Sequence, residues 1–363
     1  MQVTQETFEM AILTAPFVVL AFAGLAVVLL MFLKWKAALV MAFLALLVNG
    51  CTEQIPLRLS NELPDIKPAG TLRILEYNIC GKVEYVPKHQ QPFLDYVKNL
   101  DADLLFLPEN TPGTSHGFER MLRTTYPYSL HDFPEFEKLS AVYADLTIYS
   151  RYPLSNFRTY HLDMEQIMRD YPYLDKEDVE FIGSYMIVYE ATADVDGTPV
   201  TLVHVHLRTN SYDTAMNKSK GKRQKVHNIY EKLQFGYAYR GLESRSIADS
   251  LSNCPNPLIV CGDFNDLSGA RCVRTIQNCR SNNIHPNHRD RLNDAWWRGG
   301  RGFGFAFVEQ KLRLRLDHIL YSKEFDLQAV RVDTVSYSDH RPLIADFKFN
   351  PLIAEPSIPS SSR

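Results

Sequence analysis

Between Ala11 and Leu33 the chain carries no charged residue, and nearly every position is apolar. At about 1.5 Å of rise per residue, such a stretch is long enough to cross a hydrocarbon core of about 30 Å. A helix buried in a soluble domain rarely stays uncharged for so long, whereas the Pro16 and Gly24 found here are tolerated in membrane helices. The feature divides the chain into a membrane-directed N-terminus and a remainder that must fold in water.

Lys34, Trp35 and Lys36 follow, then a second apolar run from Ala37 to Val48. Two readings are open. In the first, two helices form a hairpin whose Lys-Trp-Lys turn faces the cytoplasm. No Lys or Arg precedes Ala11, so the positive-inside rule gives that orientation. The shortness of the second run counts against it. In the second, Met31 to Cys51 resembles a bacterial lipoprotein signal, with a basic start, an apolar middle and Val48-Asn49-Gly50-Cys51. Asn49 fits that cleavage motif poorly, and the first apolar stretch is then left over. Under either reading everything after Cys51 is expected outside the cytoplasm.

The chain thus reads as a membrane anchor over 1–51 and a polar, Pro-containing linker over 52–70. One folded domain follows over 71–349, then a Pro- and Ser-rich disordered tail over 350–363. With 39 basic and 42 acidic residues the net charge is -3, which argues against a surface that grips nucleic acid throughout. Any phosphate recognition is therefore local. The six cysteines show no CxxC spacing; Cys261 reads as a small buried hydrophobe, and Cys272 and Cys279 could pair in an oxidising compartment.

Within 71–349 short apolar runs recur between loops. Leu72 to Ile79, Leu104 to Leu107, Pro199 to Leu207, Leu258 to Cys261 and Leu312 to Asp317 read as strands. Val200, Leu202, His204 and His206 share one face of theirs. Helical patterns are fewer, clearest over Gln91 to Leu100 and Ser244 to Leu251. Many strands with interspersed helices predict an α/β sandwich of two sheets.

The informative residues end those strands: Asn78, Glu109, His206, Asp263 with Asn265, Asp317, and the pair Asp339-His340 before the last run. Carboxylate and amide oxygens suit a hard cation such as Mg²⁺, and nearby bases can activate water for in-line attack on phosphorus. Taken in order, Leu75-Glu76-Tyr77-Asn78-Ile79, Asp103 to Glu109, Ser150-Arg151-Tyr152-Pro153, Val205-His206-Leu207, Gly262-Asp263-Phe264-Asn265, Leu316-Asp317-His318 and Ser338-Asp339-His340 resemble the endonuclease/exonuclease/phosphatase superfamily, the deoxyribonuclease-I-like fold.

The resemblance implies a four-layer sandwich of two mixed, mainly antiparallel β-sheets flanked by helices, with Mg²⁺ (or Mn²⁺) as cofactor. It implies that Asn78 and Glu109 hold the metal, Glu109 as the principal carboxylate. His206 would bind the phosphate or protonate the leaving oxygen, and Asp263 would orient or deprotonate the attacking water. Asn265 would bond the phosphate, Asp317 would assist in the site, and Asp339 would help His340 contact the scissile phosphate. Pro108 stands where a Gln is common in the family. Glu76 replaces a small hydroxyl residue, and either adds charge near the metal or is met by Arg313 or Arg315.

The expected activity is metal-dependent phosphoester hydrolysis, first of a phosphodiester in the manner of a nuclease. A phosphatase, phospholipase or sphingomyelinase-like enzyme on lipid or sugar phosphates is the alternative, and an inactive binding module the third. The implied partners are the substrate, nucleic acid or a lipid or sugar phosphate, and the membrane; no obligate protein partner is evident. Lys218, Lys220, Lys222, Arg223 and Lys225 could grip phosphate or form a solvated face. Trp296-Trp297 could stack on a base, enter a lipid surface or fill the core.

Overall fold

The computed structural model describes residues 2–32, 34–57, 64–110, 116–136, 146–160, 165, 168–169, 188–209, 222–280, 291–309 and 312–350. Lys218, Lys220 and the expected tail beyond residue 350 lie outside these residues.

The two apolar runs form helices α1 (Gln2–Met31) and α2 (Trp35–Thr52), folded back on each other around Lys34. The second run extends beyond its apolar stretch to 18 helical residues, about 27 Å at 1.5 Å per residue. The sides facing inward carry small residues, among them Ala15, Ala26, Ala38 and Ala45, which allow close backbone approach. Phe17, Leu20, Leu30, Leu39, Phe43 and Leu46 point outward instead. In water they would form an apolar patch far larger than a monomer usually shows.

Two six-stranded sheets follow. The first runs in the order β13 (Phe325–Val332), β14 (Leu343–Phe349), β1 (Thr71–Glu76), β2 (Leu104–Pro108), β4 (Leu146–Ser150), β3 (Tyr128–Ser129). The second runs β5 (Leu154–Thr159), β6 (Val188–Val195), β7 (Thr198–His206), β8 (Leu258–Asp263), β12 (Asp317–Tyr321), β9 (Asn293–Asp294). Each holds a single parallel pair, β1 with β2 and β7 with β8; the other pairs are antiparallel. A parallel pair needs a crossover. Helices α3 (Lys82–Tyr85) and α4 (Pro87–Leu100) lie in the first crossover and α6 (Lys222–Leu251) in the second. With α5 (His116–Arg123) against the first sheet and α7 (Arg271–Gln277) against the second, the layers read helix, sheet, sheet, helix.

Period-two alternation sends Leu72, Ile74, Leu104, Phe106, Leu202, Cys261 and Ile319 into the space between the sheets. Trp296, on α8 (Ala295–Gly299), joins that core with its Nε1 donating to the Gly302 carbonyl at 3.1 Å, so core filling is its role. All six cysteines are free thiols, and the Cys272–Cys279 pair is not formed.

Two expectations need correction. Leu312 to Asp317 is not one strand: Leu312–Leu314 (β11) pairs with Phe307–Glu309 (β10) as a separate ribbon, and β12 begins at Asp317. The break at Arg315 and Leu316 arises because Arg315 turns aside to donate to the Glu53 carbonyl at 2.6 Å and to the Ser268 hydroxyl. Nor is the start of the 52–70 segment a free linker. Thr52, Glu53 and Gln54 are buried, and Gln54 Nε2 donates to the Ser268 carbonyl at 2.7 Å. Further on, Lys67 pairs with Asp103 at 2.6 Å.

The first sheet is locked by Arg73, whose Nε and Nη2 reach the two Asp346 oxygens at 2.6 and 2.7 Å, while Nη1 donates to the Leu100 carbonyl. Both side chains are fully buried. Arg73→Met leaves an unpaired buried carboxylate, so it is expected to lower stability by about 3 kcal/mol in chemical unfolding. An Arg73→Met, Asp346→Leu double variant should recover much of that loss.

Candidate active site

Because β1 and β2 run parallel, as do β7 and β8, their C-terminal ends share one end of the sandwich. Asn78 follows β1 by two residues, Glu109 follows β2 directly, and His206 and Asp263 are the last residues of β7 and β8. In the ladder Asp263 sits opposite His206 on one side and Asp317 on the other. Alternation puts Asp263 on the same face as Cys261, and Asp317 on the same face as Ile319, towards the other sheet. Gly262 is required at this point. Its φ is +144°, and a Cβ there would lie 1.9 Å from the Val205 carbonyl oxygen.

The side chains converge. Asn78 Nδ2 donates to Glu109 Oε1 at 3.0 Å and to Asp263 Oδ2 at 3.1 Å, while its Oδ1 accepts from the Cys80 amide. His206 Nε2 lies 3.9 Å from Glu109 Oε1 and 3.9 Å from Asp263 Oδ2. His340 Nε2 is 3.6 Å from Asp263 Oδ2, and its Nδ1 is 2.9 Å from both Asp317 oxygens. Asn265 donates its backbone amide to Asp263 Oδ1 at 2.8 Å and its side-chain amide to the Leu207 carbonyl at 2.9 Å. Glu109 and Asn265 hold left-handed φ angles of 54° and 51°, uncommon for residues with side chains and concentrated at functional sites.

All eight sequence-predicted residues therefore lie at one end of the sandwich, with one exchange of roles. His340 takes its orienting bond from Asp317, far off in sequence, and not from its neighbour Asp339. Asp339 instead accepts from the Ser338 hydroxyl at 2.9 Å and faces Lys82 Nζ at 3.5 Å. Of the two alternatives for Glu76, the arginine partner is not seen. Neither Arg313 nor Arg315 meets it; both its oxygens are buried with no donor from the protein, beside Asp317 and Asp263. Burial, then the two neighbouring carboxylates, push its pKa well above the usual range.

Sequence reasoning missed the supports. His318 points away from the site, with Nδ1 2.7 Å from Asp294 Oδ2 and Nε2 3.1 Å from the Asp266 carbonyl. Arg240 donates to Asp266 at 3.0 Å from the other side, so the turn after Asp263 is held from two directions. Tyr77 accepts from the Tyr337 amide at 2.9 Å, fixing the loop that carries His340. Asp266 in Gly262-Asp263-Phe264-Asn265-Asp266 was the available signal. His204 is fully buried edge-on to Phe106, on the strand face it shares with Val200 and Leu202.

Electrostatics separate the groups further. Burial raises the Asp263 pKa, and Asp317 adds to this while His340 opposes it. Burial by itself would depress His340, but Asp317 and Asp263 overcome it and hold the imidazolium to about 9. A raised histidine pKa means stability that is complete below about 6.5 and lost as pH rises through about 9. Chelator-treated protein should therefore melt at progressively lower temperature across that window, and His340→Gln should abolish the slope. An equal slope in both proteins would show that His340 is not the group responsible.

The donor set also fits a cation. Carboxylates of Glu109, Asp263 and Asp317 gather around Asn78 and His340, and among the described residues no lysine or arginine pairs with them. One atom each from Asp263, Asp317 and His340 lie within 4.8 Å of one another. Three clustered carboxylates with a single imidazolium between them are further stabilised by a bound divalent ion.

The family model described as the Endonuclease/Exonuclease/phosphatase family matches residues 75–340, spanning every residue of this site. The chain belongs to that family. Endonuclease/exonuclease/phosphatase proteins are hydrolases acting on phosphoesters, and this chain has their sandwich of two mixed sheets flanked by helices. Among solved structures it is similar to the human Nocturnin catalytic domain with bound sulfate (16% identity, TM-score 0.46, 78% of this chain and 97% of that chain). It is similar also to TDP2 from Caenorhabditis elegans (15% identity, TM-score 0.48, 91% and 92%). A third is sphingomyelinase C from Streptomyces griseocarneus (14% identity, TM-score 0.45, 76% and 99%). No curated protein matches the chain significantly in sequence.

Proposed function

We propose that this chain is a divalent-metal-dependent phosphodiesterase, held to a membrane by the α1–α2 hairpin with its catalytic domain outside the cytoplasm. The observation that carries the reading is the juxtaposition of an oxygen-rich pocket (Asn78, Glu109, Asp263) with a His340–Asp317 pair 3.6 Å from Asp263. Mg²⁺ held by Asn78 and Glu109 would neutralise the phosphate and polarise it towards attack. Asp263, with its raised pKa, is the base that orients and deprotonates the water. His340 is cationic at neutral pH, so it clamps the scissile phosphate rather than acting as the base. His206 faces the same space and delivers a proton to the leaving oxygen. Asn265 and Asp339 border the pocket, with Asn265 as a hydrogen-bond donor to phosphate.

A diester is favoured over a monoester by charge. Among the described residues the basic side chains that face the site's carboxylates are His206, His340 and Lys82, and Lys82 is already paired with Asp339. A singly charged diester needs fewer cationic partners than a doubly charged monoester. With Mg²⁺ present, release of p-nitrophenol from bis(p-nitrophenyl) phosphate should exceed release from p-nitrophenyl phosphate. The reverse order would transfer the assignment to a phosphatase, and no release from either would favour a binding module.

The anchor reading is supported by the outward apolar faces of both helices and by Lys34 and Lys36 at their turn. The hairpin is preferred to a lipoprotein-type signal because α2 runs unbroken through Cys51 to Thr52.

A further inference from the structure

The anchor does not hang from the domain at an arbitrary point. Helix α2 ends at Thr52, and the next residues form a collar gripped by the loop that follows Asp263. Gly269 lies so close that a Cβ on it would sit 2.5 Å from the Thr52 carbonyl oxygen. Gln54 Nε2 donates to the Ser268 carbonyl at 2.7 Å and to the Thr52 carbonyl at 2.8 Å. Arg315, two residues before Asp317, donates to the Glu53 carbonyl at 2.6 Å. Arg274 donates to the Cys51 carbonyl, and Arg291 pairs with Glu53 Oε1 at 2.8 Å. Within the collar Asn49 and Ile55 exchange two bonds, Nδ2 to the carbonyl at 2.7 Å and amide to Oδ1 at 2.8 Å.

The end of the sandwich that meets the anchor is therefore the end that holds the site. Asp263 and Gly269 are six residues apart, which limits their separation to about 20 Å even in a fully extended chain. Ile12, at the start of the uncharged run, is buried in the core layer on the outer face of the second sheet, the layer that also holds Leu207 and Phe264. The second helix thus leaves the domain beside its catalytic end, with the first packed against it. Beside the collar, Leu57 is a 70% exposed apolar side chain.

We propose that the substrate is the phosphodiester of a lipid headgroup in the bilayer that holds the enzyme, presented to a site fixed at the membrane surface by the 52–56 collar. This rests on the phosphodiesterase and anchor readings above. A nucleic acid would have to approach the same rim from solution, against a net charge of -3 and beneath the body of the domain. A lipid arrives by lateral diffusion. In the reaction, water oxygen bonds to phosphorus as the P–O bond to the leaving group breaks. The water proton passes to Asp263, and the leaving oxygen keeps the bond electrons and is protonated by His206.

The test uses the full chain in vesicles of phosphatidylcholine and phosphatidylglycerol containing diacylglycerol p-nitrophenyl phosphate, with Mg²⁺. Soluble bis(p-nitrophenyl) phosphate and a single-stranded oligonucleotide are run in parallel. Lipid in the enzyme's own vesicles should be hydrolysed at least about tenfold faster than the same lipid in enzyme-free vesicles mixed in. A Gly-Ser insertion between Thr52 and Glu53 lifts the domain from the helix while keeping the remaining collar bonds. It should cut the same-vesicle lipid rate severalfold and leave the soluble diester rate unchanged. Equal rates on the two vesicle populations, or oligonucleotide cleavage without lipid cleavage, would overturn the proposal. Loss of turnover on both p-nitrophenyl diesters would instead withdraw the phosphodiesterase reading, and the lipid assignment with it.

Discussion

Asp263→Ala is expected to reduce diester turnover by about three orders of magnitude, within the range that removal of a general base produces. Two contacts are lost together with the proposed base. Asn78 loses one of its two carboxylate acceptors, and the Asn265 amide loses the Oδ1 that shapes its turn. His340 also loses one of the carboxylates that hold it protonated. Asp263→Asn separates these effects, since an amide oxygen still accepts from Asn265 but cannot take a proton. It should be nearly as inactive while unfolding close to wild type. His340→Ala should fall by about two to three orders of magnitude, as the charged clamp on the phosphate disappears. The measurement is kcat and KM on bis(p-nitrophenyl) phosphate, with unfolding followed in parallel. Near-wild-type kcat in both Asp263→Asn and His340→Ala would sink the site assignment.

Removal of divalent metal should abolish turnover, and Mg²⁺ should restore it. In the pocket Glu109 and Asp263 both turn oxygens on Asn78, with Asp317 close by and no lysine or arginine among the described residues to balance them. Mutual repulsion is the cost of that arrangement, and a divalent ion removes it. Binding should consequently raise the unfolding midpoint, by about 3 kcal/mol of stability when the ion is at a hundredfold excess over its Kd. Glu109→Gln removes the carboxylate proposed as the principal ligand and should shift both the activation and the stabilisation curves to at least about tenfold higher Mg²⁺. The stability readout is independent of catalysis. An unchanged melting curve on Mg²⁺ addition, or a Glu109→Gln titration overlaying wild type, would exclude Glu109 as the metal carboxylate.

Much of this site could be read without coordinates because strands expose their function at their ends. A run such as Leu258 to Cys261 has to be buried, so the Asp and Asn that follow it emerge together at a sheet edge. The same logic placed Asn78, Glu109 and His206. It failed where the signal was not periodic. Leu312 to Asp317 alternates like a single strand, yet tertiary bonds from Arg315 break it in two. For Glu76 the sequence left two readings open, a place near the metal or an arginine partner, and only its position facing other carboxylates separates them.

The chain's own order of residues determined that it carries an uncharged span, that its strands alternate into a two-sheet core, and which polar groups cap them. Those properties depend on neighbours a few positions apart, where side-chain direction follows from backbone geometry alone. Only the tertiary structure decided that Asp317 and not Asp339 holds His340, that Glu76 lacks a counter-charge, and that residues 52–56 clamp the apolar hairpin beside the loop that follows Asp263. Each of these joins segments tens to hundreds of residues apart across a sheet or a domain surface. Their pairing is set by ladder register and the closing of the core, which no local pattern encodes.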